Sequence, residues 1–232
     1  MTPRILCIIP AFNAENKLAG VVLGVRNELP GATVLIVDDG STDETRMVAR
    51  SVADTTIEFA ENRGKGAGLQ AAFRHAVDNG FDAVITIDAD GQHDPAFAPA
   101  MIEALNSADI VVGTREIGGR AVPPHRRVAN LFSSWLTRVL SGAAIRDSQS
   151  GYRAIRTEVL RQVDARGSRY EFETDFLILA ARRGFRFAEV PISTVYGTAT
   201  PSHFRSIRDA LRVVGVLWRH RRKAFRRKPG TA

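Results

Sequence analysis

Short apolar runs alternate along this chain with longer stretches whose apolar positions recur at helical spacing. RILCII (4–9) reads as a buried strand and 14–29 as an amphipathic helix closed near Pro30 and Gly31. TVLIV (33–37) predicts a second strand, 42–53 a helix and 55–59 a short strand. A helix over 66–79 ends at Gly80 and leads to the strand AVITI (83–87). Residues 95–106 then read as helix and DIVVG (109–113) as strand. The stretch TREIGGRAVPPHRR (114–127) breaks this rhythm and reads as a loop. Beyond it, 128–141 carries Leu131, Phe132, Trp135, Leu136, Val139 and Leu140 at helical spacing. A helix over 172–183 and a strand at 186–190 follow. Continuous apolar strands separated by helices predict one α/β domain, its mostly parallel sheet covered by helices on both faces.

The composition is globular: 44% hydrophobic and 25% charged over 232 residues, with no repeat or low-complexity linker. No stretch approaches the roughly 20 apolar residues that span a bilayer, and the start lacks a signal-peptide pattern. Cys7 is the only cysteine, which suits a buried position and a reducing compartment. The net charge of +7 sits in residues 219–232, which carry seven Lys and Arg and no acid. Without them the body holds 25 basic and 25 acidic residues, which argues against a nucleic-acid-binding face.

The segment VITIDADGQHDP (84–95) places Asp88, Asp90 and Gln92 just after a buried strand. That edge of an open α/β sheet is where ligands bind. Two carboxylates one residue apart repel each other, and Mg²⁺ or Mn²⁺ would relieve the repulsion. The plainer alternative is an acidic turn, with His93 structural or solvated. In VLIVDDGSTDET, Asp38 and Asp39 end the preceding strand and suit a ribose or base edge. A turn with Ser41 or Thr42 as helix N-cap explains them equally well. ENRGKGAG sets Arg63, Gly64, Lys65, Gly66 and Gly68 before a helix, an arrangement compatible with phosphate but lacking Walker spacing.

Taken in order, IPAFNAE (9–15), VDDGSTDET (37–45), NRGKGAG (62–68), DADGQHDP (88–95), GTR (113–115), DSQSGYRA (147–154), YEFETD (170–175) and EVPI (189–192) resemble one family. It is the large inverting GT-A fold (Rossmann-like) glycosyltransferase family that includes dolichol-phosphate mannose synthase. The resemblance covers roughly residues 5–195 and implies roles residue by residue. Pro10, Ala11, Asn13, Glu15, Asp38, Asp39, Lys65, Gly66, Asp88 and Ala89 would line the nucleotide pocket. Asp88, Asp90 and Gln92 would form the metal–diphosphate site. Asp90, Arg115, Asp147 and Asp175 would serve the reaction, an exposed loop arginine being the alternative for Arg115 and a helix N-cap for Asp147. Glu173 and Asp175 resemble the acidic pair that supplies the base in relatives with hydroxyl acceptors, and could equally brace the loop. Arg126, Asn130, Arg153, Ser202 and His203 would meet the acceptor, with internal pairing the alternative for Arg153. Asn130 stands where relatives have a hydroxyl, and Thr200-Pro201-Ser202-His203 departs from the Gly-x-Ser-Lys of polyprenol-phosphate synthases.

A polyprenyl phosphate acceptor is already anionic at pH 7 and needs no strong general base. A hydroxyl acceptor would need one, with Asp147 or Asp175 the candidates. Phe204, Ile207, Leu211, Val214 and Trp218 form an apolar helical stripe ahead of the basic cluster. Residues 1–200 therefore read as the catalytic domain, and 201–232 as an amphipathic basic helix and tail. Such a helix suits an anionic membrane surface, the chain being cytoplasmic and peripheral, or packs on its own core. The expected substrates are a nucleoside-diphosphate sugar, GDP-mannose or a UDP-hexose, and a polyprenyl phosphate, with no nucleic acid. The alternatives are a saccharide hydroxyl acceptor and a non-catalytic nucleotide-sugar-binding protein. IIPAFNAE lacks the Gly-rich basic motif of a sugar nucleotidyltransferase.

Overall fold

The computed structural model describes residues 3–115, 137–139, 142, 145–169 and 171–193. Strand β1 (Ile5–Ala11) opens the sheet, and helix α1 (Leu18–Glu28) leads to β2 (Thr33–Asp38). Helix α2 (Thr45–Val52), β3 (Thr55–Glu58), α3 (Lys65–Asp78) and β4 (Ala83–Thr86) follow. A 3₁₀ turn at Pro95–Phe97 runs into α4 (Ala98–Ala104) and then β5 (Ile110–Arg115). After the segment linking them come β6 (Arg153–Arg156), α5 (Thr157–Gln162), α6 (Glu171–Arg182) and β7 (Phe187–Ile192).

The seven strands lie in the order β3-β2-β1-β4-β6-β5-β7. Neighbours run parallel except at β6, which is antiparallel to both β4 and β5. Alternate residues of each strand feed two separate cores, as the period of two in a strand requires. Cys7, Ile9, Val34, Ile36, Ile85 and Val111 pack with α1, α2 and α4 on one face. Leu6, Ile8, Leu35, Val37, Val84 and Ile110 pack with α3, α5 and α6 on the other. Burial on both faces is why these strands read as unbroken apolar runs.

The reversed strand β6 and the helix α5 are absent from the sequence-based expectation. RAIR is four residues long and half arginine, so it carries no apolar run to signal a strand. Its arginines find partners inside: Arg156 Nε donates to the carbonyls of Leu105 (3.1 Å) and Ala108 (3.3 Å). The expected cap at Ser41 or Thr42 also differs. Helix α2 starts later, and Asp43 accepts from the amide of Thr45 (3.0 Å) while Ser41 Oγ accepts from Asn13.

Residues 137–139 are helical, as expected. The rest of the predicted helix 128–141, the division at residue 200 and the basic helix over 201–232 lie outside the described residues. Among the described residues, no helix is long and apolar enough to cross a membrane.

Cys7 is 1% exposed in the middle of β1, and burial pushes its thiol up to about 12. A thiol reagent at pH 8 is therefore expected to leave the folded protein unlabelled and to titrate one thiol in guanidinium. Rapid labelling without denaturant would contradict this placement.

Candidate active site

Parallel strands β1, β2 and β4 end along one edge of the sheet, with Ala11 paired to Asp38 in register. The loops after β1 and β2 are clasped together there. Asn13 donates its amide to Ser41 Oγ (3.0 Å), and its Oδ1 accepts from the amide of Thr42 (2.9 Å). Glu15 Oε2 accepts from the amide of Glu44 (2.8 Å). Asn13 adopts a φ of 51°, a left-handed conformation that asparagine tolerates better than most residues. Pro10 and Ala11 end β1 beside Val37 and Asp38 of β2, Ala11 being buried.

Asp38 and Asp39 are turned inward. Asp38 is fully buried, and its carboxylate accepts from Arg46 Nε (2.9 Å) and from the amide of Ser41 (3.1 Å). Asp39 accepts from the amides of Arg63 (2.7 Å) and Gly64 (2.9 Å), fastening the loop that precedes α3. Burial pushes the Asp39 carboxyl up, against the two amides, which favour its charged form. Gly64 caps α3 at a φ of 96°, a conformation open to glycine. Gly66, buried in the first turn, faces the backbone of Ser168 and Arg169 so closely that a Cβ would overlap it.

Lys65 links this loop to the end of β4. Its Nζ lies 2.7 Å from Asp88 Oδ1 and 3.5 Å from Glu173 Oε1 on α6. Arg153 of β6 joins the same cluster at 3.0 Å from Glu173 and donates to the carbonyl of Ser148 (3.0 Å). Burial works against the Lys65 charge, but Asp88 and Glu173 more than offset it and hold the ammonium above the ordinary lysine range. Burial alone would push Asp88 up; Lys65 above all, then His93 and Arg153, draws it below the ordinary carboxylate range. His93 is buried rather than solvated, stacks near Tyr152 with ring centroids 5.4 Å apart, and is kept low in pKa by burial. Ala89 is buried, while Asp90 is half-buried, with Oδ1 accepting from the amide of Gln92 (2.9 Å).

Arg115, at the end of β5, grips Asp147 with Nε on Oδ2 (2.6 Å) and Nη2 on Oδ1 (2.9 Å). This bidentate geometry fixes the guanidinium plane. Asp175 is 2% exposed and accepts from the amide of Arg166 (2.8 Å), bracing the loop before α6. Arg153, 4% exposed, is internally paired. The fold thus gathers Lys65, Asp88, Glu173 and Arg153, while Asp175, on the same helix as Glu173, is bound to the Arg166 amide. Arg126, Asn130, Ser202 and His203 lie outside the described residues.

Gly151 escapes a reading of charged side chains, although it stands inside DSQSGYRA. A Cβ there would lie 2.4 Å from Asp88 Oδ2 and 2.7 Å from Lys65 Nζ. Its hydrogen is what leaves room for the pair. Arg46, the partner of Asp38, carried no signal either, because its contact depends on the helix α2 register.

Residues 6–164 match the model of Glycosyl transferase family 2, so the chain belongs to that family and is a glycosyltransferase. It is 34% identical over 203 residues to an undecaprenyl-phosphate mannosyltransferase of Micrococcus luteus, covering 83% of this chain and 84% of that protein. It is 35% identical over 207 residues to a polyprenol monophosphomannose synthase of Mycolicibacterium smegmatis, covering 83% and 77%. A solved structure of glucosyl-3-phosphoglycerate synthase from Mycobacterium tuberculosis, with Mn²⁺, uridine diphosphate and phosphoglyceric acid, superposes with a TM-score of 0.74. That likeness covers 94% of this chain and 78% of the other at 20% identity, and it shows the fold.

Two substitutions test the geometry. Asp39→Ala strands the Arg63 and Gly64 amides and is expected to cost about 1–3 kcal/mol in urea unfolding. An unchanged midpoint would contradict the clasp. Gly151→Ala pushes apart two side-chain tips rather than backbone, so folding should survive. Sugar-transfer turnover should fall on the order of tenfold or more. Unaltered turnover would show that the Asp88–Lys65 spacing is unimportant.

Proposed function

We propose that this glycosyltransferase is metal-dependent and inverting. It moves a hexose from GDP-mannose or a UDP-hexose to a polyprenyl or dolichyl phosphate at the cytoplasmic face of a membrane. The observation that carries the choice of acceptor is the commitment of both candidate bases. Asp147 is held bidentately by Arg115, and Asp175 is buried against the Arg166 amide. A hydroxyl acceptor needs a carboxylate able to take its proton. A phosphate monoester arrives with an anionic oxygen and needs none. The two relatives named for lipid phosphates, matched over more than three quarters of their length, support the same choice.

Asp88 and Asp90, with the side-chain carbonyl of Gln92, would hold Mg²⁺ or Mn²⁺. Their hard oxygens suit either ion, and both carboxylates are only partly buried. Among the described residues, no three His, Cys, Asp or Glu gather as a closed metal cage. Mg²⁺ is commonly bound by one or two carboxylates together with substrate phosphates. When bound, the ion supplies positive charge to a departing diphosphate.

The remaining work falls to this chain's side chains. Pro10, Ala11, Asn13 and Glu15 shape the base and ribose end, with Asp38 and Asp39 setting the loops behind it. Lys65, Gly66 and Ala89 border the diphosphate end. Arg115, oriented by Asp147, faces the acceptor phosphate and aligns its oxygen opposite the leaving group. That oxygen forms a bond to the anomeric carbon as the carbon–diphosphate bond breaks, and the nucleoside diphosphate leaves. Arg153 supports the site through Glu173. Arg126, Asn130, Ser202 and His203 complete the acceptor side, and the basic segment 201–232 brings the domain to anionic lipid.

Release of UDP or GDP from a panel of sugar nucleotides, with Mg²⁺ or Mn²⁺ and with or without polyprenyl phosphate, tests this reading. Lipid-dependent release that disappears in Asp90→Ala is expected. Turnover with saccharide hydroxyls alone, or full activity of Asp90→Ala, would contradict it.

A further inference from the structure

Lys65 occupies the first position of α3, and the first turn of that helix contains no acidic residue. A helix N-terminus carries partial positive charge, so a lysine there opposes the helix dipole. Its ammonium is only 18% exposed and is directed onto Asp88 at 2.7 Å. Glu173 is nearby at 3.5 Å but is already matched by Arg153 at 3.0 Å. The charge of Lys65 is therefore left to balance Asp88. Gly151 leaves the room the pair occupies, because a Cβ there would overlap Nζ and Oδ2.

We infer that Lys65 is a resident counter-ion for Asp88 that competes with the divalent cation, so that the metal is retained only together with a nucleoside diphosphate. This rests on the donor-site reading above. With Lys65 in place, Asp88 and Asp90 together present roughly one net negative charge instead of two, which weakens attraction for a lone dication. A diphosphate brings further negative charge and hard oxygens to the same edge and restores that attraction. A lysine acting merely as a brace between α3 and β4 would have no bearing on how metal affinity depends on nucleotide.

The test is titration of the full chain with Mn²⁺, read from loss of the free-ion electron paramagnetic resonance signal, alone and with UDP or GDP. The wild type should bind Mn²⁺ weakly alone and more tightly with one of the diphosphates. Lys65→Met should raise nucleotide-free affinity about tenfold, whereas Lys65→Arg, which keeps the charge, should not. Circular dichroism confirms folding; should the Met variant fail to fold, Lys65→Gln removes the charge and keeps a hydrogen bond to Asp88. Unchanged or weaker nucleotide-free affinity in the uncharged variant, with nucleotide-dependent binding intact, overturns the counter-ion role and leaves the donor site standing. No Mn²⁺ binding with either nucleotide, or binding indifferent to Asp90→Ala, overturns the donor site itself.

Discussion

Burying a lysine beside a carboxylate ties four elements of this fold to one point. Lys65 begins α3, Asp88 follows β4, Glu173 lies on α6 and Arg153 starts β6. Taking such charges out of water costs several kcal/mol each unless every one is matched. The chain meets that requirement by alternating signs: Arg153 with Glu173, and Lys65 with Asp88. A well-packed apolar replacement would often serve stability as well or better. The proposed donor site gives charge at this place a use at the sheet edge that the core does not require.

The sheet explains why the edge can carry that chemistry. Strands β1, β2 and β4 are fixed by apolar residues packed on both faces, which gives their ends a firm base. The loops are then fastened to one another by side chains accepting from backbone amides: Asn13 from Thr42, Glu15 from Glu44, and Asp39 from Arg63 and Gly64. These bonds, charge-assisted where Glu15 and Asp39 accept, fix the loops relative to one another. Beside it, the Arg115–Asp147 pair fixes a guanidinium plane at the end of β5, two strands away from β4.

Most strands and helices were legible because continuous apolar runs and helical periodicity come directly from burial. Strand β6 was not, since RAIR satisfies its arginines through contacts far away in sequence, such as Arg156 with Leu105. The acidic motifs were legible as a set, but the direction of each side chain was not. Asp38 and Asp39 point into the protein because Arg46 and the 63–64 amides are brought up behind them. Glu173 and Asp175 were foreseen as a pair, yet one joins the Lys65 cluster and the other braces the loop at Arg166. Gly151 could not be recognised from chemistry at all, because its contribution is the absence of a methyl group.

A glycosyltransferase with this edge should gather metal and donor diphosphate beside the cluster of Lys65, Asp88, Glu173 and Arg153. The most direct measurement is an anomalous-difference map from crystals grown with Mn²⁺ and UDP or GDP. The account predicts a peak beside Asp88 and Asp90, with the diphosphate against it and the nucleoside lying toward Asn13 and Glu15. A diphosphate bound away from that edge, or a manganese peak held by other residues, would contradict it.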